Sequence, residues 1–520
     1  MALLYRFTRA KDRAGTGIFT FIVTRSVTRD FYRDATTKEF TFGYHRWVVS
    51  FNRSDSKMLG VHLILRNASA GTRCYVDYTF SLLNREHFSK NEIYFEKQCR
   101  FNADQPAQGP AKWILMSDLH SRKFSDENGE FLMDLTLSNP LTVYEVDVRM
   151  SHLPFGHHHK LSNAETPYFA FGGFEWNIGI HPQGIPEDQE TSNRPKILLN
   201  RLTGFDHAVR VQYRIVLGDA DRVFDSGVLC QISDVTGKIQ GFPLKCGIAD
   251  LLHRGILRIY VEMMFANAVS EVLIPLQNRD PSDTTPNCYD REKHAWLAEG
   301  DIEGECLKLK LFCSDLHHVP RNHLRYVSWN AYVVRNENKE KNMIVLNAPH
   351  WNYYIQEGVD MGIVMETDIP VSVVDDLTNN CKETNKSVSI EIEWLDSLLL
   401  FSAIYHKYDD IRRLHCHQMK LDELPLSLEL VMFRSELTFH RIFFVEIWSQ
   451  RQGRQTKKRE IMALQAENYS LERQLFSYQK SISIVNSRGQ PSEGLPQEDV
   501  VEEPFRTLPK GENFPEVKYI

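Results

Sequence analysis

The chain repeats itself around a tryptophan, and that repetition limits its fold more than any other feature. Phe40-Thr41-Phe42-Gly43-Tyr44-His45-Arg46-Trp47 returns as Phe169-Ala170-Phe171-Gly172-Gly173-Phe174-Glu175-Trp176. The same landmarks then follow in the same order. Tyr75-Val76-Asp77-Tyr78-Thr79-Phe80-Ser81-Leu82 is answered by Arg210-Val211-Gln212-Tyr213-Arg214-Ile215-Val216-Leu217, Met116-Ser117-Asp118-Leu119 by Ile248-Ala249-Asp250-Leu251, and residues 129–135 by residues 255–261. A more diverged third copy starts at Trp296. It continues through Leu307-Lys308-Leu309-Lys310-Leu311, Trp329-Asn330-Ala331-Tyr332-Val333-Val334, Asp376-Leu377 and Ser387-Val388-Ser389-Ile390-Glu391-Ile392-Glu393-Trp394. Ordered landmarks that recur in this way mean one supersecondary design used again.

The repeated design is a β-structure. Val76, Tyr78, Phe80 and Leu82 alternate with Asp77, Thr79 and Ser81, and Val388, Ile390, Ile392 and Trp394 do the same. A period of two means a strand with one buried face. Turn signals such as Glu127-Asn128-Gly129 and Asp234-Val235-Thr236-Gly237 separate the strands, which favours antiparallel sandwiches over a parallel sheet wrapped by helices. A length of 520 residues, at about 150 per domain, leaves room for three. The expected organisation is a sandwich over 15–150, a second over 163–280 and a diverged third over 290–450, arranged as separate beads. A helix over 451–485 and a disordered tail over 486–520 complete it.

The pattern resembles the meprin and TRAF homology (MATH, or TRAF-like) domain. The residues that carry the resemblance are Trp47, the run 61–65, the aromatic strand 78–84, Lys112-Trp113-Ile114-Leu115 leading to Asp118-Leu119, and the closing run 129–137. The second copy keeps Trp176, the Tyr213 strand and Asp250-Leu251, but has Leu244-Lys245-Cys246 where Trp113 stands; the third has Val373-Val374 there. What the resemblance implies is an eight-stranded antiparallel sandwich that binds short extended peptides. Trp47, Trp113, Trp176 and Trp296 are its core landmarks. Peptide contacts vary too much within the family to be placed on individual residues.

A basic segment, Arg451, Arg454, Lys457, Lys458 and Arg459, precedes a heptad seam of Ile461, Leu464, Asn468, Leu471, Leu475, Tyr478 and Ile482. Alternating spacings of three and four place these on one stripe of a helix, which predicts a coiled coil and a homodimer. Asn468 at an a position favours two strands. The alternative is an amphipathic helix packed on the third sandwich. The tail carries Pro491, Pro496, Pro504, Pro509 and Pro515 among acidic and small residues, a composition expected to be disordered.

Sixty-one Lys and Arg against 68 Asp and Glu give a net charge of −7, so no general positive field invites nucleic acid. The start of the chain meets charge too early for a signal peptide, and no apolar run reaches the roughly 20 residues of a membrane span. Nine cysteines without a CxxC pair suit free thiols in a reducing compartment. The expected location is cytoplasmic, with cytoskeletal or nuclear association left open.

Gly-x-Ser-x-Gly, phosphate-loop, His-Glu-x-x-His and dinucleotide-fingerprint motifs are absent from the sequence, which removes the common catalytic designs. Cys381 has no evident basic partner. His152 with His157-His158-His159, and His406 with His415-Cys416-His417, lack the further ligands that would close a zinc site. No catalytic residue, cofactor or metal is expected. The reading is a non-enzymatic adaptor or scaffold that binds proteins or short peptides. The alternatives are a structural component of a cytoskeletal, centrosomal or ciliary assembly and a substrate adaptor in a ubiquitin-ligase pathway.

Overall fold

The computed structural model describes residues 2–401 apart from 10–14, 30–34, 55, 153–159, 186–193, 220–221, 238, 240, 276–286, 304–305, 335–342, 345–348, 357–361, 371 and 374–386. The described chain is mainly β, built of antiparallel sheets. One sheet has twelve strands, and three smaller sheets have six, five and four.

Each tryptophan landmark begins a small sheet in the same way. Phe40–Phe42 and His45–Arg53 form a hairpin that pairs Phe40 with Trp47; Phe169–Phe171 and Phe174–His181 pair Phe169 with Trp176; Asn287–Tyr289 and Ala295–Glu303 pair Cys288 with Trp296. The first two hairpins turn through two residues of positive φ, Gly43-Tyr44 and Gly172-Gly173, which matches the right-handed twist of the flanking strands. The indole N–H of Trp47 donates to the Phe42 carbonyl at 2.9 Å and that of Trp176 to the Phe171 carbonyl at 3.0 Å; Trp296 donates to the Asp290 carboxylate at 3.2 Å. All three rings are fully buried. Their polar edge is satisfied locally, so the rest of each ring can fill the core.

The second landmark strands belong to the large sheet. Thr72–Leu82, Ala208–Asp219 and His323–Val333 each pair with a long closing strand, Phe131–Arg149, Ile256–Pro275 and Ser387–Phe401 respectively. Trp47 meets Phe101 edge-on at 5.0 Å and Trp296 lies 5.0 Å from Trp394, so the small sheets pack on the large one. The Asp-Leu landmarks are short helical turns, Met116–Ser121 and Ile248–Leu251, that bury Leu119 and Leu251. Leu244 fills the position of Trp113: its amide donates to the Pro195 carbonyl at 2.8 Å, as that of Trp113 does to Leu59 at 2.8 Å.

The repeats are not separate beads. The closing strands are 19, 20 and 15 residues long, and each carries one extra residue against its partner near the middle, between Ser138 and Leu141, Met263 and Phe265, and Trp394 and Asp396. Such bulges bend a strand and increase its twist. Beyond its bulge, the first closing strand pairs Thr142–Arg149 with Ile256–Met263 of the second, and the second pairs Val269–Pro275 with Ser387–Glu393 of the third. In the first repeat the equivalent place is taken by Gly17–Val23, which pairs with Phe131–Leu137. One strand therefore ends one sandwich and opens the next. A single apolar cluster accordingly runs from Tyr144 to Trp394.

The third repeat also touches the first. The N-terminal strand Ala2–Arg9, paired with Gly17–Val23, places Phe7 5.2 Å from Tyr326 and Arg9 2.8 Å from Asp396.

Candidate functional site

Among the described residues, two strands of the large sheet, Glu92–Phe101 and Arg222–Ser233, pair on one side only, with Thr72–Leu82 and Ala208–Asp219. Their outward faces are unusual. On the inner neighbours the outward residues Thr79 and Ser81 in the first repeat, and Arg210, Gln212 and Arg214 in the second, are polar, while Tyr75 and Val216 on the same faces are not. The edge residues opposite them are Phe95 and Ile93, then Ile232, Cys230 and Val228. Phe95 is 64% exposed, Ile93 57% and Val228 55%. Edge strands are normally protected by charge, proline or cover. Part of each strand thus puts apolar side chains in water, next to the charged Arg100 and Asp225 further along the same faces, and exposed apolar surface of this kind marks interaction sites. Each strand also has one extra residue, between Glu96 and Cys99 and between Asp225 and Val228, which splits the edge into two short stretches.

The inward face of the first edge is tied down. Glu96 accepts hydrogen bonds from Tyr78 at 3.0 Å, from Cys99 at 2.9 Å and from Tyr94. Burial pushes the Glu96 pKa up, but these donors outweigh it and hold the carboxyl below its usual range. Burial first, and the Glu96 hydrogen bond and charge second, push the Cys99 thiol up to about 12. This thiol stays protonated, unlike an activated nucleophile. In the second repeat Tyr213, the counterpart of Tyr78, donates to Gln231 at 2.7 Å, which stands opposite Val211 as Cys99 stands opposite Val76. In both copies a buried tyrosine of the inner strand thus bonds a polar side chain of the edge strand.

Of the landmarks expected from sequence, Trp47, Trp176 and Trp296 sit in the core and Trp113 is partly buried, its ring 6.1 Å from Phe80. The seam Ile461, Leu464, Asn468, Leu471, Leu475, Tyr478 and Ile482 lies outside the described residues, as do Cys381, Asp376-Leu377, His157-His158-His159, His406 and His415-Cys416-His417. His152 is exposed and bridges Leu161. The seven described cysteines are free thiols. No helix among the described residues is long and apolar enough to cross a membrane.

A cluster that the sequence reading passed over is Asp315, His317 and His318, whose ligand atoms lie within 4.8 Å of one another. Both imidazoles are exposed and their rings lie 4.0 Å apart. One Asp315 oxygen is occupied by the Ala295 N–H at 2.6 Å, so the cluster offers an open site of three donors.

The comparisons with known proteins return no family model and no curated protein. Among solved structures, a chain described under "The Triple Jelly Roll Fold and Turret Assembly in an Archaeal Virus" is 7% identical, over 73% of this chain and 91% of that one, with a TM-score of 0.08. At that score the likeness transfers neither fold nor function.

Proposed function

We propose that this chain is a non-enzymatic adaptor that binds extended segments of partner proteins by strand addition to its open sheet edges. The observation that carries the reading is the exposed apolar side chains on part of Glu92–Phe101 and Arg222–Ser233. An added strand satisfies the free backbone groups of the edge, and the exposed side chains select its alternate residues. Identifying the sandwiches as TRAF-like is part of the proposal, supported by the tryptophan hairpins and the landmark order. A cytoplasmic location is likewise proposed, in keeping with the free thiols.

The test compares affinity capture by the full chain with capture by an Ile93→Lys, Phe95→Lys, Val228→Lys variant whose thermal unfolding matches the parent. Loss of the partners that the parent retains supports the edges as the binding site; full retention overturns it.

Self-association through the heptad seam extends the proposal, because two chains would raise the effective concentration of weak sites for a partner carrying several motifs. Light scattering is expected to give a dimer that becomes a monomer when Leu471 and Leu475 are changed to Lys. A monomeric parent would remove this part.

A further inference from the structure

The three tryptophan hairpins converge. The Gly172 amide of the second donates to the Tyr44 carbonyl of the first at 3.1 Å, and Arg291 of the third lies against Gly173 of the second. The contact is so close that a Cβ on Gly173 would fall 1.6 Å from Arg291 Nη2. Around this meeting point is a cavity of about 700 Å³ whose wall includes Arg46 from the first repeat, Phe174 and His207 from the second, and Arg291 and Arg325 from the third.

Four cations, Arg46, Arg291, Lys293 and Arg325, share that wall with five carboxylates, and each of the carboxylates is taken up by another group. Lys293 is paired with Asp206 at 2.7 Å and Arg325 with Glu292 at 2.6 Å. Asp290 is occupied by His294 at 3.1 Å and by the Trp296 indole, and Asp396 by Arg9 at 2.8 Å. Glu39 holds Arg66 at 3.4 Å and reaches Arg46 only at 3.8 Å. Arg291 is left over: among the described residues no carboxylate lies within 4.0 Å of its guanidinium, which sits 5.5 Å from the Phe174 ring centre. Burial first, and the like charge of Arg46 second, hold its pKa below the usual arginine value.

Two more nitrogen atoms in the same wall have no hydrogen-bond partner among the described residues, one of them on Arg325, whose Nη1 is held by Glu292. His207 Nε2 and Arg325 Nε are buried without a hydrogen bond. Buried polar atoms without partners are few in native proteins, and here two of them share a cavity with an unpaired guanidinium.

We infer that the cavity binds a small multivalent oxyanion, a phosphate or carboxylate compound held by Arg291 together with Arg46, His207 and Arg325. The planar guanidinium fork suits two-oxygen recognition of either group, and the volume falls within the roughly 300–1,000 Å³ of small-molecule sites. Because all three repeats contribute to the wall, the ligand binds the assembled chain and stabilises it by mass action.

The test follows thermal unfolding of the full chain in increasing inorganic pyrophosphate and, separately, citrate, each against sodium chloride of equal ionic strength. The expected result is a saturable rise in midpoint with at least one probe that is lost in Arg291→Gln. A rise with pyrophosphate alone identifies a phosphate compound, and one with citrate alone a polycarboxylate. Should Arg291→Gln not fold, Arg46→Gln replaces it, with calorimetric titration of the parent as a second readout. No saturable rise with either probe, or an equal rise in parent and variant, overturns the assignment.

Discussion

At the scale of single residues, His45 shows how the fold changes the chemistry of a side chain. It is buried beside Trp47 and shares a 2.7 Å hydrogen bond with the Thr142 hydroxyl. Burial lowers its pKa from 6.5 to about 4. Between those values the unfolded chain takes up a proton that the folded chain refuses, so stability rises with pH across that window and falls as pH drops from 6.5 to 4. The difference corresponds to about 3 kcal/mol. Chemical denaturation at pH 7 and pH 4.5 is expected to show a smaller loss in His45→Gln than in the parent. Glycine gives a second residue-scale expectation. A Cβ on Gly43 would lie 2.6 Å from Pro140 and one on Gly172 2.7 Å from Ala266, and both residues have positive φ. Gly172→Ala should therefore destabilise the chain by more than about 1 kcal/mol, read as a lower denaturation midpoint. The tryptophans were legible in the sequence because a rare, large residue recurs within a copied hairpin. Arg291 was not, because Asp290-Arg291-Glu292-Lys293 looks like a solvated charged turn. Only tertiary contact pairs its neighbours with others and leaves Arg291 alone.

At the scale of elements, alternation identified the strands and their buried faces, as Thr72–Leu82 illustrates with every second residue buried. The same alternation says nothing about which strand ends up at an edge, since a half-buried strand has the same period in either place. The exposed Ile93 and Phe95 of Glu92–Phe101 therefore became meaningful only beside the polar Ser81 and Thr79 of the neighbouring strand. Phe95→Lys should shift stability by no more than about 0.5 kcal/mol, as usual for surface positions, while lowering any tendency of the isolated chain to self-associate through this edge. Equilibrium denaturation and concentration-dependent light scattering check the two halves of that expectation. The closing strands were legible only in part. Asn139-Pro140 reads locally as a turn, yet it lies within a strand that resumes at Leu141 because the bulge absorbs the interruption.

At the scale of the whole molecule, the bead picture failed because it asked each copy to bury its core alone. Shared strands, and polar contacts beyond sequence reach, join the copies. Arg210 of the second repeat bonds Glu391 at 2.7 Å and Glu393 at 3.2 Å in the third, and stacks 4.5 Å from the Tyr332 ring; Asn267 and Tyr332 also donate to Glu393 at 2.7 and 2.8 Å. The two carboxylates are almost wholly buried. Removing the guanidinium strands both charges, so Arg210→Met should cost about 3–5 kcal/mol. Replacing all three by apolar residues should recover much of that loss. Denaturant midpoints of the single and triple variants check both expectations.

The shared strands also give the protein a direction of assembly. The first sandwich contains its own opening strand, Gly17–Val23, whereas the second borrows Thr142–Arg149 of the first closing strand and the third Val269–Pro275 of the second. A ribosome delivers these segments in the order in which they are needed. Translation would therefore present the free side of each of the first two closing strands before the residues that pair with it, Ile256–Met263 and Ser387–Glu393.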